Sequence, residues 1–211
     1  YNENKITRLT KTEDPNYQGV SVGGIAGGVG NTIQIHSVGY PANSFFVYEQ
    51  VYDAQGTPIE GLYVDRNGDG KLTPDDRYRY EKPAPNYLIG FTTGLNIGKF
   101  DFSAAGRANL GNYIYNNNLS NNAYYNQLYG STNVLRNVLT PTASIDFTVP
   151  QYFSDYFISD ASFLRVDHVT AGYTFNINRR VQSLRLSATV QNQLLITRYD
   201  GLDPEVFGGI D

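Results

Sequence analysis

The sequence predicts an all-β chain built from long antiparallel hairpins. Three observations carry that prediction. Apolar and polar residues alternate with period two again and again. The alternating stretches run to roughly 11 residues, about twice the usual length of a soluble strand. Short turns alternate with long connecting segments along the chain. Helical periodicity framed by an N-cap and a glycine stop is missing over any stretch of about ten residues. The 211 residues suit one domain, or one piece of a larger one.

The first hairpin covers residues 87–110. Tyr87, Ile89, Phe91, Leu95 and Ile97 fall on one parity, with Thr93 among them. Gly90, Thr92, Gly94 and Asn96 fall on the other, with Leu88 as the exception. Gly98-Lys99 supplies a tight turn. Phe100, Phe102, Ala104, Ala108 and Leu110 then alternate with Asp101, Ser103, Arg107 and Asn109. A second hairpin follows the same rule. Its first strand changes phase: Leu164 and Val166 are apolar on one parity, Val169, Ala171, Tyr173 and Phe175 on the other. A β-bulge near Asp167-His168 would reconcile them. Residues 176–183 read as a short polar turn. Leu184, Leu186, Ala188, Val190, Leu194 and Ile196 then alternate with Arg185, Ser187, Thr189, Gln191 and Gln193.

Strands of this length, apolar on one face and polar on the other, fit either a large soluble sandwich or a tilted membrane barrel. The connections separate the two. Long segments precede the first hairpin and lie between the two hairpins, at the ends opposite the short turns. That is the pattern of outer-membrane barrels, with short periplasmic turns and long external loops. A structureless loop of about 50 residues is unusual in a compact soluble domain.

Composition bounds the function. Lys plus Arg is 16 and Asp plus Glu is 20, so the formal charge is −4, which argues against nucleic acid as a partner. Cysteine is absent, which rules out a disulfide scaffold, a thiolate metal site and a Cys nucleophile. Only His36 and His168 could serve a His-rich zinc site. Low charge with 21 Gly and 18 Tyr is the make-up of β-rich extracytoplasmic proteins. No apolar run is long enough for a transmembrane helix. The opening YNENKITRLT has no signal-peptide core, and a first residue Tyr1 with no Met anywhere reads as a trimmed start. Hydrolase, P-loop and zinc-protease motifs are missing, so no enzyme is expected. Acidic pairs such as Asp203 with Glu205 read as surface.

The sharpest local motif is Asp65-Arg66-Asn67-Gly68-Asp69-Gly70-Lys71, continuing to Asp75-Asp76. It has the Asp-x-Asn-x-Asp-Gly core of a calcium loop. Ca²⁺ wants six to eight oxygens. Asp65, Asn67 and Asp69 would supply side chains, Lys71 its backbone carbonyl, and Asp76 the closing carboxylate, with Asp75 as the alternative. The flanks look extended, so the expected role is structural: Ca²⁺ pinning a loop. Asn112 to Tyr129 interleaves Asn with Tyr. Tyr113, Tyr115, Tyr124 and Tyr125 are its candidate contacts to a substrate or partner. Self-packing of the same rings is the equal alternative. The Gly-rich stretch 19–30 lacks any βαβ context and reads as a loop.

Taken in order, several blocks resemble one family. They are Gly61-Leu62-Tyr63-Val64-Asp65-Arg66-Asn67-Gly68-Asp69-Gly70, Lys82-Pro83-Ala84-Pro85-Asn86-Tyr87, Ser162-Phe163-Leu164-Arg165 with Gly172-Tyr173-Thr174-Phe175, and Tyr199-Asp200-Gly201-Leu202-Asp203-Pro204-Glu205-Val206. Together they are similar to the C-terminal barrel segment of SusC/RagA-type TonB-linked outer-membrane transporters of Bacteroidetes.

The resemblance implies a transmembrane β-barrel of about 22 strands around an N-terminal plug. Residues 1–211 would be a fragment of about five or six strands, lacking the plug and the last strand. Regions 17–85, with its calcium-type loop 65–76, and 111–161 would be long external loops. Implied partners are the rest of the transporter chain, a SusD-like surface lipoprotein lid, the TonB-ExbB-ExbD complex, outer-membrane lipid, and an oligosaccharide or peptide substrate. The implied function is nutrient import at the bacterial outer membrane. The rival reading is a secreted, calcium-stabilised β-domain that binds carbohydrate or mediates adhesion.

Overall fold

The computed structural model describes residues 1–10, 17–28, 30–129, 134–177 and 183–211. Among these residues twelve strands occur in the order β1 (Val20–Gly24), β2 (Thr32–His36), β3 (Ser44–Val47), β4 (Gln50–Tyr52), β5 (Pro58–Tyr63), β6 (Tyr78–Arg79), β7 (Tyr87–Ile97), β8 (Phe100–Leu110), β9 (Tyr113–Tyr115), β10 (Ile158–Asp160), β11 (Phe163–Phe175) and β12 (Leu184–Thr197). Two short helices, α1 (Asn117–Asn122) and α2 (Thr142–Ile145), lie between β9 and β10.

The long strands form one antiparallel sheet in the order β12-β11-β8-β7. Their lengths are 11 residues for β7 and β8, 13 for β11 and 14 for β12. At a rise of roughly 3.3 Å per residue and a tilt of about 40°, such strands cross a hydrocarbon core of about 30 Å. The expected two-residue turn joins β7 to β8, with Ile97 opposite Phe100 and Gly98 at φ +59. The other expected turn, over 176–183, falls largely outside the described residues. The phase change in β11 is a register shift between Val166 and His168, so the bulge lies where the parity change placed it.

Register shows what the two faces are made of. Ile97, Phe100, Tyr173 and Leu186 form one cross-sheet row. Leu95, Phe102, Ala171 and Ala188 form the next, then Thr93, Ala104, Val169 and Val190. Phe91, Gly106, Val166 and Leu194 follow, then Ile89, Ala108, Leu164 and Ile196. That whole face is apolar apart from Thr93. No second sheet or helix among the described residues covers it: its large side chains on β7 and β12, such as Leu95 and Leu186, are 55% and 58% exposed. So wide an uncovered apolar surface is foreign to a soluble monomer and suits a bilayer.

The opposite face is polar. Thr170 Oγ1 meets Thr189 Oγ1 at 2.9 Å, and Arg185 pairs with Asp101. Gly172 lets that pair pass close to the backbone, since a Cβ there would lie 2.5 Å from Asp101 Oδ1. Leu88, Ala105, Phe163 and Leu195 are the apolar exceptions. With β7 and β12 as open edges, the four strands are a wall and do not close into a barrel by themselves.

All four long strands meet the connecting segments at the same end, where Tyr87 faces Leu110 and Phe163 faces Thr197. There the segments fold. Strands β1-β2-β3-β6 form a small sheet, β4 pairs β5, and β9 pairs β10. Ile33, Phe45 and Val47 from the first segment share one core with Tyr115, Ala123, Ile145, Phe147, Phe157 and Ile158 from the second. Backbone bonds stitch the two together, Tyr48 N to Phe153 O at 2.8 Å and Asp155 N to Tyr48 O at 3.0 Å. The regions read as long loops are therefore one co-folded body at the strand ends. No helix among the described residues is long and apolar enough to cross a membrane, which bears only on helices.

Candidate functional site: the co-folded body and the polar face

The 65–76 turn is held by its own carboxylates. Asp65 accepts from Gly68 N at 2.7 Å and Gly70 N at 2.8 Å. Asn67 Oδ1 accepts from Asp69 N at 3.0 Å, and Asp69 Oδ1 from Lys71 N at 2.8 Å. These bonds orient the three side chains expected at positions 1, 3 and 5, and each keeps lone pairs for a hard cation. Asp76 is different. It is buried and accepts from Arg66 N, Asn67 N, Thr73 N and Thr73 Oγ1; the bond from Thr73 N is one half of a capping box, the Thr73 hydroxyl accepting a backbone N–H of the first turn in return. In this geometry Asp76 caps the turn instead of closing a metal shell. Among the described residues no three His, Asp or Glu side chains gather at metal-binding range. The side chains at positions 1, 3 and 5 carry the oxygens a hard cation takes, but they already accept from the turn's own amides, and Asp76 does not stand as a ligand at position 12.

The Thr73 amide, with those of Asn67 and Arg66, holds the Asp76 carboxyl below the usual carboxylate range, against the opposing effect of burial. The sign follows. A depressed native value gives stability that is complete above the unfolded value of about 3.9 and is lost as pH falls through the native one. Amide protection at Arg66, Asn67 and Thr73 is expected to hold down to about pH 4 and to fall only below it. Hydrogen exchange against pH measures this.

Behind the turn lies a buried polar hub. Gln50 donates through Nε2 to the carbonyls of Val51, Ile59 and Leu62, and its Oε1 accepts from Ser154 Oγ at 2.7 Å. Asp155 accepts from Gln50 N at 3.0 Å and Tyr78 OH at 2.7 Å. Burial pushes the Asp155 carboxyl up, and the bond from Tyr78 offsets part of that.

The four tyrosines named from sequence separate. Tyr115 is 0% exposed, in the core, with its hydroxyl donating to Tyr152 O at 2.9 Å. Enclosed in that core, its ring does not reach a substrate, although Tyr113 on the same strand β9 stays partly exposed. Tyr113, Tyr124 and Tyr125 are half-buried. Tyr113 packs against Tyr80, and Tyr124 OH donates to Gln127 Oε1. A cleft of about 910 Å³ opens beside α1 and α2, and its aromatic walls are Tyr156, Phe157 and Tyr199, with Asn116, Asn118, Ser159 and Asp200. None of the four tyrosines lines it. Tyr199 opens the Tyr-Asp-Gly-Leu-Asp-Pro block, and Asn116 and Asn118 belong to the Asn- and Tyr-rich segment, so both sequence signals meet at this cleft.

On the polar face Arg107 and Arg165 sit directly opposite each other. Like charges so placed repel. Asp167, the bulged residue, and Glu205 pair with Arg107; Asp203 and Glu205 pair with Arg165. The acidic pair read as surface is thus the tie between the chain's last residues and the wall. Asp211 completes the tie, accepting from Tyr199 OH at 2.6 Å and Asn117 N at 3.1 Å.

An uncovered apolar face, a polar opposite face and a folded body at one end define a wall segment of an outer-membrane β-barrel. The comparisons narrow the class. The TonB-dependent receptor SusC of Bacteroides thetaiotaomicron is 44% identical over an alignment of 223 positions that takes in 100% of this chain and 22% of the relative. The TonB-dependent receptor P3 of Formosa agariphila is 28% identical, over 82% of this chain and 19% of its own length. The solved structure of the RagAB peptide importer in its "closed-closed" state superposes with a TM-score of 0.66 at 23% identity, over 98% of this chain and 24% of that one. No protein-family model matches the sequence. The chain is of the SusC/RagA type among TonB-dependent outer-membrane receptors, a class of transporters and not of enzymes. It spans about a fifth of the length of the curated relatives it matches.

Proposed function

We propose that the chain forms part of the wall and the external mouth of an energised importer of oligosaccharides or peptides. The observation that carries this is the four-strand wall, apolar and uncovered on one side and polar on the other, in a chain of this family. The remaining strands and the plug come from the rest of the transporter. Energy comes from the TonB-ExbB-ExbD complex, and a SusD-like lipoprotein closes over the external body. Tyr113, Tyr124 and Tyr125 are the proposed contacts of that body to substrate or lipoprotein. The same uncovered face disfavours the secreted-domain reading, because in water it would aggregate.

Uptake of a labelled nutrient by cells that depend on this transporter tests the reading. Uptake is expected to stop when TonB is deleted or the proton-motive force is collapsed. Uptake that persists unchanged would contradict it. Changing Tyr113, Tyr124 and Tyr125 together to Ala is expected to reduce uptake or lipoprotein binding, and no change in either would remove them from the site.

Calcium belongs to the same proposal. Asp65, Asn67, Asp69 and the Lys71 carbonyl are its donors, with Asp76 kept as the cap. Adding Ca²⁺ to chelated transporter is expected to raise amide protection in the 65–76 turn, and to fail to do so in Asp69→Ala. Protection that ignores Ca²⁺ in the unaltered protein would end the calcium role.

A further inference from the structure

Three arginines of the external body lie over aromatic rings. Arg66 stacks on Tyr78 at 4.5 Å and pairs with Glu49. Arg79 stacks on Tyr40 at 5.0 Å and donates to Ser37 Oγ and Gln18 O. Arg77 is the most enclosed: its guanidinium carbon lies 4.1 Å from the Phe153 ring centre, 5.3 Å from Tyr48 and 5.9 Å from Phe46. Yet among the described residues its guanidinium has no hydrogen bond and no ion pair, and its Nε is buried without a partner.

Acids are not scarce around it. Asp76 is committed to backbone amides, Asp75 accepts from Gln18 Nε2, Glu49 holds Arg66, and Asp155 holds Tyr78 and the Gln50 amide. Four carboxylates on the flanking segments therefore serve other donors. An unpaired buried donor in a native fold asks for an acceptor. Rings on the guanidinium face strip its hydration and fix its plane, while the in-plane N–H groups stay free to bind. Nη1 and Nη2 have no partner and are not among the buried atoms, so they are the open end of the fork.

We propose that Arg77 is an anion-recognition site of the external body, and that its ligand is the carboxylate of a uronic-acid residue in an imported oligosaccharide. A planar fork matches a carboxylate with two parallel charge-assisted bonds. Those four flanking acids already accept from other donors, so none of them fills the fork. The hydroxyl, amide and ring surfaces of the body suit the rest of a sugar. This inference rests on the importer reading and adds the charge of the substrate.

The test uses the full-length transporter in detergent, titrated calorimetrically with trigalacturonate, its methyl ester and triglycine. Trigalacturonate is expected to bind at least about tenfold more tightly than the ester, and Arg77→Ala to remove that preference while leaving the ester unchanged. Loss of a charged, two-pronged contact corresponds to roughly 10- to 100-fold. Arg77→Lys keeps the charge but not the fork and is expected to lose most of the preference with an unaltered melting temperature. Equal binding of acid and ester, full preference retained in Arg77→Lys, or Arg77 dependence seen only with triglycine would each overturn the proposal. TonB-dependent uptake in the same strain reports separately on the importer reading, so the two can fail independently.

Discussion

Arginine in place of Val169 is expected to destabilise the wall by about 2–4 kcal/mol, the cost of a cation on the lipid face near mid-membrane. Val169 lies in a middle row, on a strand paired on both sides, between Ala104 and Val190. Its neighbour Thr170 points the other way, to Ser103 and Thr189. Arginine there enters the polar face, where Arg185 and Arg107 already stand, and is expected to be tolerated. The measurement is the folded fraction of each full-length variant in outer-membrane preparations, read by heat-modifiable mobility. Val169→Arg should fall well below Thr170→Arg. Equal yields would mean that the two faces do not see different solvents.

Phe157→Ala is the second large effect. Phe157 is buried at the junction of the two connecting segments, edge-on to Tyr115, Phe147 and Tyr156 at ring distances of 6.2, 6.3 and 5.3 Å. Removing a buried phenyl typically costs about 3–5 kcal/mol. Because one core serves both segments, the loss is shared. Hydrogen exchange is expected to rise together in β2–β3 and in β9–α1, while β8 and β11 keep their protection. Faster exchange confined to residues 111–161 would show two separate loops instead of one body.

The wall was legible in the sequence because period two is a direct image of a sheet with two unlike faces. Even the bulge could be read, since a single extra residue at Asp167 swaps the parity of every apolar residue after it. The body was not legible. Its strands are short, and Ser44–Val47 is buried on both faces, so no alternation marks it. Its pairings are distant in sequence, β3 with β6 and β9 with β10. The tyrosines show the same limit. Tyr113 and Tyr115 lie two apart on β9 and so share a side, both against the same core; composition does not show that the body closes fully over Tyr115 and only half over Tyr113. The 1-3-5 set of Asp65, Asn67 and Asp69 was readable from spacing, whereas the capping role of Asp76 depended on a turn at Thr73 that spacing does not reveal. Arg77 gave no signal, because its cage is assembled from positions 46, 48 and 153.

The central claim is that one face of the four strands meets lipid and the other meets water. β12 tests it directly, since the chain has no cysteine to interfere. Single cysteines at 186, 187, 188, 189, 190 and 191 carry nitroxide labels in the full-length transporter, reconstituted in bilayers with no other reactive thiol. Leu186, Ala188 and Val190 positions are predicted to show high collision rates with oxygen and low rates with a water-soluble nickel chelate, and Ser187, Thr189 and Gln191 the reverse. Collision rates that do not alternate from residue to residue would contradict the account.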